Sequence, residues 1–322
     1  LVVADYNADP TNVKAVYIIG HVLVPHSGNI APDGHTDQHQ GAWPCDGYYG
    51  EVNGTWTDNT VNNITGWPWV RNIPGDGKFD QDSPPNTVEL QVGRVDMYDM
   101  PAFSQTETQL LAAYLTKAHN FRIKGFTPLV RSIMRDHLED LTTPIAGSGW
   151  MSIPPMTGAA NLTEVAYNDV TWLQDLVNGQ SYLWTYGGGG GLIENDNGTL
   201  VFNSTDKVMT TAGLISTAWG GVFNMSFCSY TGDWDTRNNV LRAQITSGDA
   251  LTSVYAGSPN WWFHPMGMGK TTGHCTQLTM NNVSLYLPQS GGELNPAPRS
   301  ALALLGDPAL RMLNVAMPSN LI

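Results

Sequence analysis

The chain carries three cysteines, Cys45, Cys228 and Cys275, and Cys228 closes an apolar run, "GGVFNMSFC", over 220–228. A thiol acts as a nucleophile in its thiolate form, which a neighbouring imidazole or a helix N-terminus normally stabilises. A helix starting near Asn238 could serve Cys228, whereas Asp233 and Asp235 oppose its ionisation. The competing reading is an inert strand-end thiol, because free cysteine is among the most buried residue types. No histidine lies between His137 and His264. A base for Cys228 would have to be His137, which follows Asp136 in "MRDHLED", or His264 in "WWFHPM". Losing a general base costs roughly 10²–10⁴ in rate.

Other residues carry weaker chemical signals. "NIPGDGKFDQDS" (72–83) offers Asp76, Asp80 and Asp82 as oxygen donors and Gly77 for a tight turn, without the acidic first and third positions or the closing Glu of an EF-hand. It reads as a fragment of a calcium loop or as a solvated acidic turn. His21, His26, His35 and His39 have spacings that fit no standard zinc motif and read as surface or loop histidines. Glu89 and Arg94 flank one strand and read as a structural ion pair. Cys45 with Cys275 is the expected disulfide. Trp43, Trp56, Trp67 and Trp69 are expected to pack an early loop, or to form a carbohydrate platform.

These groups need a scaffold. "KAVYIIG" (14–20), "TVELQVGRV" (87–95), "FTPLVRSIM" (126–134), "SYLWTY" (181–186), the run ending at Cys228, and "ALTSVYAG" (250–257) read as strands. Between the first two lies a loop-rich insertion at about 25–85, rich in Gly, Asp, Asn and Trp. "SQTETQLLAAYLTKAHNF" (104–121) reads as a helix with a Ser104–Glu107 capping box and an apolar face of Leu110, Leu111, Tyr114, Leu115 and Ala118. Further helices are expected near 168–179, ended by Gly179, and over 238–248, while 298–312 reads as a helix, a turn and a short apolar tail. The alternation predicts one α/β domain over 1–322, a mainly parallel sheet with helices on both faces. Functional groups in such folds lie beyond the carboxyl ends of strands. Cys228 and the five glycines Gly187 to Gly191 both fall there.

Taken in order, "YIIG", "CDGYYGEVNG", "VELQVGRV", "SYLWTYGGGGG", "VFNMSFCSYTGDWD", "LTSVYAGSPNWWFHPM" and "LLGDPALRM" resemble the gingipain-type cysteine peptidases over almost the whole chain. The resemblance implies a caspase-like fold. It places the nucleophile on Cys228, the tyrosine of the family's Tyr-x-Gly-His-Gly strand end on Tyr186, and the general-base histidine at Gly189, where this chain has none. It further assigns Gly190 to the oxyanion hole with the N–H of Cys228, Trp262 to the substrate pocket and Asp136 to the carboxylate that orients the base. Structural calcium is also implied by it. The expectation is a peptidase-fold protein without ordinary endopeptidase activity, a structural or surface-assembly subunit, set against an active cysteine peptidase whose base has moved to His137 or His264.

Composition narrows the partners. Lys and Arg number 15 against 28 Asp and Glu, a net charge of −13, which repels nucleic acids and anionic membranes. The longest apolar stretch, "VYIIGHVLV", is broken by Gly20 and His21, so no membrane span is expected. Charged residues are only 13% of the chain, and a surface built from Asn, Ser and Thr resists self-association weakly. The expected partner is a protein or peptide, including copies of the chain itself. A start at Leu1 and seven Asn-x-Ser/Thr sequons suggest a secreted or cell-surface glycoprotein, although such a composition makes sequons by chance and Asn224 falls in a core strand.

Overall fold

A computed structural model describes residues 1–139, 145–196, 199–204, 207–257, 260–282 and 299–312, with backbone alone for 192–196 and 199–204. Its strands are β1 (Ala15–Ile19), β2 (His26–Ile30), β3 (Gly41–Pro44), β4 (Gln91–Val95), β5 (Ser132–Asp136), β6 (Leu162–Val165), β7 (Tyr182–Gly189), β8 (Gly191–Asp196), β9 (Thr199–Ser204), β10 (Gly221–Cys228), β11 (Thr252–Tyr255) and β12 (Leu304–Gly306). Eight of them form one sheet in the order β1-β4-β12-β11-β10-β7-β5-β6. The pairs β1–β4, β10–β11, β7–β10, β5–β7 and β5–β6 are parallel, and β12 runs antiparallel to β11. Every residue of β7 and β10 is buried, as expected of central strands covered on both faces.

The helices are α1 (Val2–Ala8), α2 (Glu107–Arg122), α3 (Gly147–Thr157), α4 (Leu173–Val177), α5 (Thr211–Ser216), α6 (Val240–Thr246) and α7 (Thr272–Met280). Strand alternation shows that they lie on both faces. A Cβ on Gly149 of α3 would stand 2.7 Å from the Tyr186 ring, whereas one on Gly187 would stand 2.9 Å from Leu173 of α4. Adjacent residues of β7 thus meet opposite layers. Ser253 of β11, in line through Asn224 with Thr185, which shares the face of Gly187, donates to Gln244 of α6 at 2.6 Å, which puts α6 on the α4 side. This is the mainly parallel α/β sheet that the alternation predicts.

Several local expectations are corrected. The capping box of α2 is Thr106 with Gln109, two residues beyond Ser104 and Glu107: Gln109 N donates to Thr106 Oγ1 at 3.3 Å, and Thr106 N to Gln109 Oε1 at 2.9 Å. The same side-chain logic recurs there, and the later start leaves Phe103 to pack on the core. Leu115 is exposed, while Leu110, Tyr114, Ala118 and Phe121 are buried. The strand expected over 126–134 begins only at Ser132, and the helix near 168–179 is confined to Leu173–Val177. The helix expected within 298–312 is absent among the described residues: Leu304–Gly306 forms β12, filling the sheet between β11 and β4. A short continuous apolar run fits a buried strand as well as a buried helix, and tertiary pairing decides between them. Cys45 and Cys275 are both free, not bridged; each is buried, which pushes its thiol up to about 12.

The insertion after β1 is not loose. It is built on the β2–β3 hairpin, with a bridge from Ser27 to Phe79 and another from Asn63 to Asn72. Tyr48 stacks on Phe79 with centroids 5.0 Å apart, Trp67 stacks on Trp69 at the same distance, and Trp43 is wholly buried. Its tryptophans are chiefly packing. Asn224 is buried and accepts hydrogen bonds from Thr185 (2.6 Å) and the Trp219 indole (2.8 Å), so that sequon is closed to glycans.

Candidate functional site

The centre of interest is the carboxyl edge shared by β5, β7 and β10. Register sets Gly187 opposite Ser226, Gly188 opposite Phe227 and Gly189 opposite Cys228. On the other side of β7, Asp136 stands opposite Gly188. The position at which a general-base histidine is expected is therefore the immediate cross-strand neighbour of the thiol, and its occupant is glycine. Gly190 follows, half-buried, between β7 and β8.

Sterics explain two glycines of the run. A Cβ on Gly187 would come within 2.6 Å of Val208 Cγ1, and one on Gly191 would overlap the carbonyl oxygen of Ser229, the residue after Cys228. These positions need glycine because backbone or core atoms already occupy the space.

Cys228 is fully buried. The phenols of Tyr186 and Tyr255 lie within electrostatic reach of it, and neither hydroxyl has a hydrogen-bond partner among the described residues. Burial first, then the Asp136 carboxylate and the Cys228 sulfur, drive the Tyr186 phenol far above its usual range; for Tyr255 burial is followed by Asp33 and Cys228. Neither phenol can act as a base near neutral pH. Asp136 Oδ1 accepts the Leu138 N–H at 3.0 Å. In line with Gly188 and Tyr186, the Asp136 side chain leaves the sheet toward α3, whereas Cys228, in line with Gly187 and Gly189, leaves it toward α4 and α6.

His137 donates its backbone N–H to Gly188 O at 2.9 Å, and its ring stacks on Tyr167 with centroids 5.0 Å apart. His264 is half-buried, which lowers its pKa, and meets the Trp262 ring edge-on at 6.3 Å. Trp262 itself is buried, its N–H donating to Thr279 Oγ1 of α7 at 3.1 Å. Its neighbours Trp261 and Phe263 are tied to Ser148 and Ser152 of α3 at 2.9 and 3.1 Å. The segment carrying the expected pocket tryptophan is thereby fastened between two helices.

The acidic turn uses its carboxylates as acceptors. Asp80 takes hydrogen bonds from the Thr57 hydroxyl and from the N–H groups of Asn59, Thr60 and Val61, at 2.7 to 3.1 Å, which hold its pKa far below the usual range against the opposing effect of burial. Asp82 accepts the Asn29 N–H at 2.7 Å; Asp76 accepts from Ile73 and Lys78, with the Lys78 ammonium 3.8 Å away. Among the described residues no group of three or more His, Cys, Asp or Glu side chains is placed to hold a metal ion.

Sequence reasoning missed the strongest polar cluster. His39, expected as a surface or loop histidine, lies in a loop but is wholly buried, with Nδ1 2.6 Å from Asp33 Oδ2 and Nε2 2.9 Å from Asp233 Oδ2. Burial alone would lower its pKa, but Asp233 and Asp33 outweigh that and raise it to about 10. The imidazolium donates through both nitrogens. The Trp69 indole also donates to Asp233 (2.9 Å), Tyr230 N to Asp33 (3.0 Å) and Gln38 to the Tyr230 hydroxyl (2.8 Å). His26 pairs with Asp235 at 3.1 Å. Asp33, Gln38, His39 and Trp69 belong to the insertion, and Tyr230, Asp233 and Asp235 to the segment that follows Cys228, so one fastens the other. Asp233 and Asp235 were visible as acids near Cys228, but nothing local pairs them with histidines nearly two hundred positions upstream. Arg94 likewise takes an unexpected partner: it grips Asp46 through Nε (2.8 Å) and Nη2 (2.7 Å), while Glu89 accepts from Val52 and Asn53.

Comparison with protein-family models, curated proteins and solved structures returned no match to this chain. Among the described residues no helix is long and apolar enough to cross a membrane.

Proposed function

We propose that this chain is a gingipain-like, peptidase-fold protein that lacks ordinary endopeptidase activity and serves as a secreted structural or surface-assembly subunit. The observation that carries the reading is the pairing of Cys228 with Gly189. Glycine brings no imidazole to that register position to raise the thiolate fraction of a buried thiol. The insertion fastened over residues 229–239 supports the same reading, since it stabilises the covered arrangement. Low charge density suits a protein that packs against copies of itself. Fold does not dictate function, and a disused enzyme scaffold is serviceable as a building block.

In the native protein Cys228 is expected to react with iodoacetamide only slowly until denaturant is added, and a fluorogenic peptide library is expected to show no turnover. Turnover that disappears in Cys228→Ala would instead establish the active peptidase with a relocated base. Native size measurement tests assembly separately: a monomer at every concentration would remove the subunit role while leaving the loss of catalysis standing.

A further inference from the structure

Lys117 of α2 is half-buried, and its side-chain nitrogen is held at two points beside the end of α6: Nζ donates to the Ile245 carbonyl at 3.0 Å and to the Ser247 carbonyl at 3.4 Å. It also lies 5.9 Å from the centre of the Tyr114 ring. Among the described residues no carboxylate comes within 4.0 Å of it, and Asp249 acts on it from beyond that distance. Lys117 and Asp249 line one groove of about 500 Å³, walled by Ala112, Ala113 and Thr116 of α2, by Phe126 and by Gly248. The amine and the carboxyl thus share a space without touching.

Burial drives both groups toward their neutral forms. It lowers the pKa of Lys117 from 10.5 to about 7 against the pull of Asp249, and raises that of Asp249 against the pull of Lys117. Near neutral pH roughly a thousandfold more of this lysine is free amine than of an ordinary one. Other lysines are placed differently: Lys14 is exposed on the Pro10 carbonyl, and Lys78 has the Asp76 carboxylate 3.8 Å away. An unprotonated amine has two N–H bonds and one lone pair. With both N–H bonds spent on Ile245 and Ser247, the lone pair takes a third direction.

We infer that Lys117 is a covalent binding site for a small uncharged aldehyde, which it holds in the groove as a Schiff base with Asp249 as the proton carrier. A desolvated lysine amine is the group that such chemistry needs, and the alanine and phenylalanine walls suit an apolar tail. The lone pair attacks the carbonyl carbon, a C–N bond forms, and the C=O pair moves to oxygen. Asp249 carries a proton from nitrogen to that oxygen, giving a carbinolamine. It carries the second as the C–O bond breaks, the C=N bond forms and water leaves. Overall, amine and aldehyde give imine and water, and hydrolysis reverses the step. The site stands apart from the Cys228–Gly189 pair and does not depend on the proposed loss of catalysis.

The test treats the full chain near neutral pH with propanal and sodium cyanoborohydride, which reduces the imine to a stable propyl-lysine. Peptide mapping by mass spectrometry then gives the rate at each lysine. Lys117 is expected to be labelled at least about tenfold faster than Lys14. Asp249→Asn should slow Lys117 severalfold. Loss of the carboxylate by itself favours the free amine, so a purely electrostatic role for Asp249 predicts the opposite sign. Ala113→Trp, on the exposed face of α2, fills the groove and should slow Lys117 while leaving Lys14 unchanged. Labelling of Lys117 no faster than that of Lys14, or an equal Lys117 rate in wild type and Ala113→Trp, overturns the site. An undiminished rate in Asp249→Asn overturns the proton relay. Where Asp249→Asn does not fold, the wild type and Ala113→Trp still decide.

Discussion

Replacing His39 by leucine is expected to destabilise the protein by about 3–5 kcal/mol, the usual cost of breaking a buried ion pair from one side. The substitution leaves Asp33 and Asp233, both buried, facing each other without their shared cation. It also loosens the insertion from the segment after Cys228. Urea denaturation followed by tryptophan fluorescence reads the loss; a difference below about 1 kcal/mol would show that the cluster does not hold the insertion.

The same group gives a pH signature. The folded-state pKa of His39, about 10, exceeds its ordinary value near 6.5. Its stabilising contribution is therefore complete below about pH 6.5 and falls away as pH rises toward 10. Lys117 works the other way, because burial lowers its pKa to about 7 and the folded state then binds fewer protons above that pH. The difference between wild type and His39→Leu isolates the histidine: it should shrink steadily from pH 6.5 to 10. A difference that is flat across that range would show that His39 is not held as the imidazolium.

A second large effect is expected from Gly189→His. Parallel register sets this position beside Cys228, about 4.8 Å away between neighbouring strands. An imidazole there stands where a thiol can share its proton, and iodoacetamide modification of Cys228 should accelerate on the order of 10²–10⁴-fold. Gly189→Ala is the control for mere loosening of the strand and should remain close to the wild type. Peptide mapping by mass spectrometry assigns the modified thiol. An unchanged Cys228 rate in a folded Gly189→His protein would sink the idea that the fold retains dyad geometry without its base.

The two experiments probe different links between structure and function. His39→Leu acts on the fastening of the insertion, whereas Gly189→His acts on the chemistry beneath it. A gain in thiol reactivity from loosening the insertion alone would imply that cover, as well as the missing base, keeps Cys228 inert.

Much of the architecture was legible from local pattern. Continuous apolar runs predict β1, β4, β7, β10 and β11, and their alternation with amphipathic or capped segments predicts the parallel sheet. The glycine run marks a strand end where backbone can approach a neighbour closely, and the chain carries no histidine between His137 and His264. These features are readable because each depends on period, residue size or simple absence.

Tertiary structure alone decided the rest. Whether Leu304–Gly306 is helix or strand depended on the gap between β11 and β4, since local propensity is nearly balanced for a short apolar run. The partners of His39, Arg94 and Arg135 depended on which distant carboxylates the fold brings within hydrogen-bond reach: two for His39, one close grip for Arg94, none for Arg135 among the described residues. Charge pairing in a buried environment is governed by separations of a few ångströms between residues far apart in the chain, and no local pattern encodes that distance.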